Sequence, residues 1–136
     1  MKINANDISF EIPEEWIEEA GFSSESKGMC HYEYENSETV FLVSIADVFP
    51  RIRGEGVPIF KDGESDGVIK TAKERTVSIL KAIRLGIPLP PVRVVKVAGD
   101  TKYKFKLVEG CHRFHCSIAA GYDKIPADYG FDIDGL

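Results

Sequence analysis

The order of apolar and polar residues divides the chain into short elements. Ile8-Ser9-Phe10-Glu11-Ile12 alternates apolar and polar, the period-two signature of a half-buried strand. A short helix is expected next: Pro13 suits a first-turn position, Glu14 and Glu15 complement the helix dipole, and Gly21 ends it. Trp16, Ile17, Ala20 and Phe22 would give that helix an apolar face. Ser23 to Gly28 reads as a polar loop, and His31 to Ser37 as one arm of a hairpin with Glu35-Asn36-Ser37 as its turn. Thr39 to Ile45 is a β-branched and apolar run, the clearest strand of the first half.

The stretch from 50 to 67 holds Pro50, Gly54, Gly56, Pro58, Gly63 and Gly67, a density that marks a long loop, and long loops in compact domains are often functional. Thr71-Ala72-Lys73-Glu74 has capping-box spacing. The helix after it places Ala72, Thr76, Ile79, Leu80 and Ile83 on one stripe, and Gly86 and Pro88 stop it. A strand is expected over 92–97, a turn at Gly99-Asp100, and a returning strand over 103–108. After Gly110 the pattern predicts a helix from about Arg113 to Ala120, closed by Gly121, and a last extended piece starting at Ile125-Pro126-Ala127. The expected architecture is α/β (α+β): a small mixed sheet with packed helices.

Length and composition narrow the class. At 136 residues the chain fits one domain able to bury a core without staples, and no repeat or low-complexity linker divides it. No apolar run approaches the ~20 residues of a membrane span. The start, MKINANDISFEIPEEW, has neither the basic n-region nor the apolar h-region of a signal peptide, so a cytoplasmic chain with no membrane partner is expected. The net charge of −5 disfavours non-specific nucleic-acid binding, which draws on Lys and Arg. Basic residues nevertheless gather between Arg51 and Arg113, flanked by acidic ends, a distribution better suited to a small anionic ligand than to a long polyanion. DNA is therefore a less favoured partner.

The three cysteines, Cys30, Cys111 and Cys116, are an odd number, which argues against a disulfide framework. Each adjoins a histidine. Cys111 with His115, or His112 with Cys116, stands four apart and could share a helix face as zinc ligands, with Cys30-His31 added from afar. No Cys-x-x-Cys or His-x-x-x-His knuckle accompanies them. The more informative unit is a strand, then Glu109-Gly110-Cys111-His112-Arg113, then a helix. A sharp strand-to-helix turn exposes backbone N–H groups at the positive end of the helix dipole. Gly110 lets backbone approach a ligand, Arg113 can fork onto phosphate oxygens, and His112 adds a donor. At a helix start beside Arg113 and His112, the Cys111 thiolate is favoured, as nucleophilic or redox chemistry requires.

The stretch LPPVRVVKV followed by YKFKLVEGCHRFHCSIAAGYDKIPA resembles the ParB/sulfiredoxin superfamily: a Pro-rich lead-in, strand, hairpin, Gly-x-[His/Arg]-Arg loop, helix and closing Ile/Val-Pro-Ala strand in that order. The resemblance spans roughly 41–129, is strongest from 87 to 127, and leaves residues 1–40 as an unmatched amino-terminal extension. Gly-Cys-His-Arg is the sulfiredoxin form of the loop. The resemblance implies Cys111 as nucleophile and Gly110, His112 and Arg113 at the nucleotide phosphates. It also implies further polar contacts from Ser78 and from Lys73 or Arg75 on the preceding helix, and from Arg51 or Arg53 at a strand end. Two positions depart from sulfiredoxin. Glu109 replaces a Gly and is similar to other members of the superfamily, including ParB-type NTP-binding domains and a free-serine kinase, where a carboxylate serves magnesium or proton transfer. His115 and Cys116 stand where small alanines usually follow.

The leading expectation is a domain that binds ATP or another NTP with Mg²⁺ and performs phosphoryl transfer or NTP hydrolysis at Glu109–Arg113 on an acceptor the sequence does not name. One alternative is a sulfiredoxin-like, ATP-dependent cysteine sulfinic acid reductase using Cys111. The other is a nucleotide-switched regulatory or DNA-associated module without catalysis. No helix-turn-helix segment follows Ala127, which counts against a partitioning protein.

Overall fold

The computed structural model describes residues 1–6, 8–22, 38–50, 72–99 and 102–130. The hairpin arm expected at 31–37, nearly all of the Gly/Pro-rich stretch, Cys30 and Arg51 lie outside these residues. Among the described residues the fold is α+β: three helices, a two-stranded antiparallel sheet and a mixed five-stranded sheet. The small sheet pairs β1 (Lys2–Ala5) with β2 (Ile8–Glu11) and leads into α1 (Glu14–Ala20). The larger sheet is built from β3 (Phe41–Ser44), β4 (Val48–Phe49), β5 (Val92–Lys96), β6 (Phe105–Glu109) and β7 (Lys124–Tyr129) in the order β3-β7-β5-β6-β4. Between β4 and β5 stands α2 (Ala72–Leu85), and between β6 and β7 stands α3 (Cys111–Ala119).

Local chemistry explains most boundaries. Gly21, Gly86 and Gly121 have φ of 66°, 69° and 83°, left-handed conformations that turn the chain out of each helix. After α2 the Ile87 N–H returns to the Ala82 carbonyl at 2.9 Å, and after α3 the Tyr122 N–H returns to the Ser117 carbonyl at 3.1 Å. Pro126 sits inside β7, an interior strand, where a missing N–H ordinarily breaks a ladder. Pairing with β5 begins only at Val92↔Ala127, and the Gly130 N–H, an even number of residues further on, bonds the Val94 carbonyl. Pro126 therefore turns its nitrogen toward the β5 side one step before that ladder starts, where no donor is needed.

The amino-terminal residues share the core of the rest. Ile12, Trp16, Ile17, Ala20 and Phe22 belong to the same buried cluster as Leu80, Val92, Leu107, Phe114 and Ile125. The side-chain amide of Asn6 donates to the carbonyls of Ile45 and Val48, both at 2.8 Å, tying the β1–β2 turn to the 3₁₀ turn Ile45–Asp47. Along α1, Glu19 meets Lys73 of α2 at 3.3 Å, and Arg84 Nε donates to the Ala20 carbonyl at 3.1 Å. No helix among the described residues is long and apolar enough to cross a membrane.

The sequence reading passes over β1, whose Lys-Ile-Asn-Ala alternation is only four residues long, and starts α3 two residues late. Gly110 already turns the chain into the helix, so α3 begins at Cys111. Leu80 is fully buried on α2, whereas Leu85 on the same helix is 57 % exposed. Leu80→Ala should therefore cost about 2–5 kcal/mol in urea unfolding with an unchanged m-value. Leu85→Ala should stay within about 0.5 kcal/mol of the parent.

Candidate functional site

The end of β6 is irregular, and the irregularity sets the direction of Glu109. Val94 lies opposite Leu107, yet Arg93, one residue earlier, lies opposite Glu109, two residues later. β6 thus carries one extra residue, a β-bulge. Strict alternation from the buried Leu107 would turn Glu109 toward the core. Through the bulge it emerges instead beside Arg93, which points outward between the buried Val92 and Val94. Arg93 Nε stands 3.5 Å from Glu109 Oε2, with both side chains more than half exposed. Gly130 lies against this outer face, where a Cβ would come within 2.9 Å of Val108 Cγ2 and 3.1 Å of Arg93 Cβ.

Gly110 follows with φ 95°, a backbone that L side chains rarely adopt. A Cβ there would sit 2.8 Å from Val92 Cγ1 and 3.0 Å from Arg113 Nη2, so the turn requires glycine for space as well as for conformation. No side chain caps α3, and its first intrahelical bond runs from the Phe114 N–H to the Gly110 carbonyl at 2.9 Å. The amides of 111–113 precede that bond and face out of the helix end. Arg113 folds back along the turn: Nη2 donates to the Pro91 carbonyl at 3.2 Å, while Nε is buried with no hydrogen-bond partner among the described residues. Its own carbonyl accepts from Ser117 Oγ at 2.7 Å. His112 is half-buried in the same first turn.

Cys111 and His115 share one flank of α3, four residues apart. His115 is almost wholly buried, with its ring edge-on to Phe10 of β2 at 4.9 Å and to Phe114 at 5.5 Å. Its Nδ1 donates to the Cys111 carbonyl at 2.7 Å, and Cys111 Sγ lies 3.6 Å from the same nitrogen. A carbonyl only accepts, so Nδ1 carries the proton and cannot take one from the thiol. Burial lowers the His115 pKa from 6.5 to about 4, against the raising effect of the Cys111 backbone bond. Cys116 is fully buried, and desolvation pushes its thiol well above the ordinary range.

The residues expected from α2 divide between two sides of that helix. Lys73 is engaged by Glu19 of α1. Arg75, two positions on, is about 200° around the helix, and the exposed Ser78 lies nearer to Arg75 than to Lys73 around the axis. One ligand could therefore draw on Arg75 and Ser78 together, or on Lys73, but not on all three. Arg51 lies outside the described residues. Among the described residues no three His, Cys, Asp or Glu side chains converge as a metal site. The structure adds one site residue that the sequence pattern passed over, Arg93. Its outward position is legible in the Val-Arg-Val alternation, but its pairing with Glu109 depends on the bulge. Comparison with family models, curated proteins and solved structures finds no match to this chain.

Two measurements follow from this geometry. A histidine kept neutral in the fold binds its proton more readily when unfolded, so stability is full above pH 6.5 and declines as pH falls toward about 4. The complete loss amounts to about 3 kcal/mol. Urea unfolding at a series of pH values should show that decline in the parent and a shallower one in His115→Phe, and the His115 ring should titrate near pH 4 by NMR. In the native state Cys111, half-buried at the helix start, should react with iodoacetamide before the enclosed Cys116. Mass spectrometry of the alkylated peptides gives the order.

Proposed function

We propose that this chain binds a nucleotide by its phosphates at Gly110–Arg113 and uses Glu109 in phosphoryl transfer or NTP hydrolysis. One observation carries the reading: the buried Arg113 Nε without a hydrogen-bond partner among the described residues. A buried charged donor left unpaired costs on the order of 1–3 kcal/mol, and an anionic oxygen would satisfy it. That donor lies in the turn where uncapped amides and the helix dipole already favour negative charge. Side-chain and backbone donors converge on one kind of ligand.

The chemistry then rests on position and charge. Phosphates on the 111–113 amides and Arg113 fix the terminal phosphoryl group, which passes to an acceptor hydroxyl or water as its bond to the leaving bridging oxygen breaks. Glu109, exposed at the head of the turn, takes the acceptor's proton or helps to hold magnesium. A single carboxylate beside a phosphate cradle fits a Mg²⁺ shared with phosphate oxygens and water, the usual arrangement for that ion, rather than a resident metal. Such an ion would neutralise charge developing on the phosphates.

The redox alternative asks Cys111 to be the nucleophile. One neighbouring ring nitrogen, His115 Nδ1, is committed to the Cys111 carbonyl and offers no base to the thiol. That favours Glu109 over Cys111 as the residue on which turnover depends.

Millimolar ATP or CTP with Mg²⁺ should raise the melting temperature, and Arg113→Ala should remove the gain, since only a ligand of the folded state stabilises it. Glu109→Gln should then lower NTP turnover by a factor on the order of 10²–10⁴, and Cys111→Ser far less. An inactive Cys111→Ser beside an active Glu109→Gln would favour the sulfinic acid reductase. Binding without turnover would leave a nucleotide-switched module. If no nucleotide moves the melting temperature, the phosphate reading fails.

A further inference from the structure

We infer that Arg93 is the residue by which this site selects polyphosphates over a single phosphate, an inference that rests on the phosphate reading of the Gly110–Arg113 turn. Arg93 lies directly across the ladder from Glu109, the residue before Gly110, while Arg113 Nη2 lies against Gly110 itself. Arg113 is held close to the turn, beside Gly110 and the Pro91 carbonyl on the side where Val92 packs into the core. Arg93 is on the outer face, reached only because the bulge turned Glu109 to that face as well.

The Arg93–Glu109 contact has the features of an exchangeable pair. It is a single 3.5 Å approach between side chains 54 % and 64 % exposed, without the two parallel bonds of a fork. Exposed pairs of this kind contribute little, so a competing anion can displace the carboxylate at small cost. The stem of Arg93 is better fixed than its head, because Gly130 packs against its Cβ. A lone phosphate on the turn amides and Arg113 is already served. A second phosphate that continued past Glu109 would meet Arg93, the residue opposite it on the ladder. Arg93 leaves Glu109 for that second phosphate, and the same move releases the carboxylate beside the phosphoryl group.

The test uses the full chain and three inorganic probes without metal: orthophosphate, pyrophosphate and tripolyphosphate, each titrated against the melting temperature. In the parent, affinity should rise with chain length. Arg93→Gln should leave orthophosphate within about twofold and weaken tripolyphosphate roughly tenfold, the scale of one charge-assisted hydrogen bond. Arg113→Ala should weaken all three. Loss of the same factor on every probe in Arg93→Gln, or no loss on any, overturns the inference while leaving the phosphate reading intact. Failure of all three probes to stabilise the parent defeats the phosphate reading itself. An unliganded Arg93→Gln melting temperature matching the parent shows that the fold is unaffected, as the exposed position of the pair requires.

Discussion

Between β6 and α3 the backbone at Gly110 passes so close to the Val92 side chain that a Cβ would stand only 2.8 Å from Val92 Cγ1. That approach fixes how the helix leaves the sheet. It lets α3 begin at once, with no side-chain cap from Gly110. It also leaves space beside the turn for the Arg113 guanidinium, which runs back to Pro91 at the start of the strand that carries Val92. An alanine at 110 would need both a left-handed backbone and a displaced Val92, and Val92 is fully buried among its neighbours. The strand, the turn and the helix are therefore one constraint, and every proposed ligand contact is built on it.

The second dependence runs through His115. Phe114, His115, Cys116 and Ser117 are consecutive and all buried, so the middle of α3 is enclosed on every side rather than presenting one apolar stripe. The β1–β2 hairpin helps to complete that enclosure, with Phe10 against the His115 ring. The imidazole gives the hairpin a ring to pack on, and it spans back to the Cys111 carbonyl in the first turn of the helix. Protonating that ring would put a charge in a buried site between two aromatic rings, which explains why burial governs its titration.

The sequence was most legible where a local rule decides the backbone. The stripe of α2, the Gly21, Gly86 and Gly121 helix ends, and the strand expected over 92–97 each depend on residues a few positions apart, and each stands in the fold. The turn at Gly110 was legible for the same reason. Interactions that need register were not. Alternation breaks at Leu107-Val108-Glu109, but that break does not reveal an extra residue opposite Arg93 until the strand is laid beside β5. Without the bulge, Arg93 and Glu109 are two unrelated surface charges. The ring contact from Phe10 to His115 joins residues more than a hundred positions apart, beyond any periodic signal. Lys73 and Arg75 were interchangeable in the sequence, and only the packing of α1 on α2 separates them.

The two arginines at the turn sit in different dielectrics, and that difference assigns them different work. Arg113 Nε is shielded from solvent, so an anion meeting it gains an interaction that water and salt attenuate little. Arg93 is more than half exposed, and its charge is screened and already shared with Glu109. A ligand's first phosphate would draw its affinity from the buried group and the helix amides. A second phosphate would gain only the small excess of Arg93 for phosphate over carboxylate, enough to rank ligands but too little to hold one. An anion that drew Arg93 away would leave the Glu109 carboxylate unengaged beside the group on which it is proposed to act.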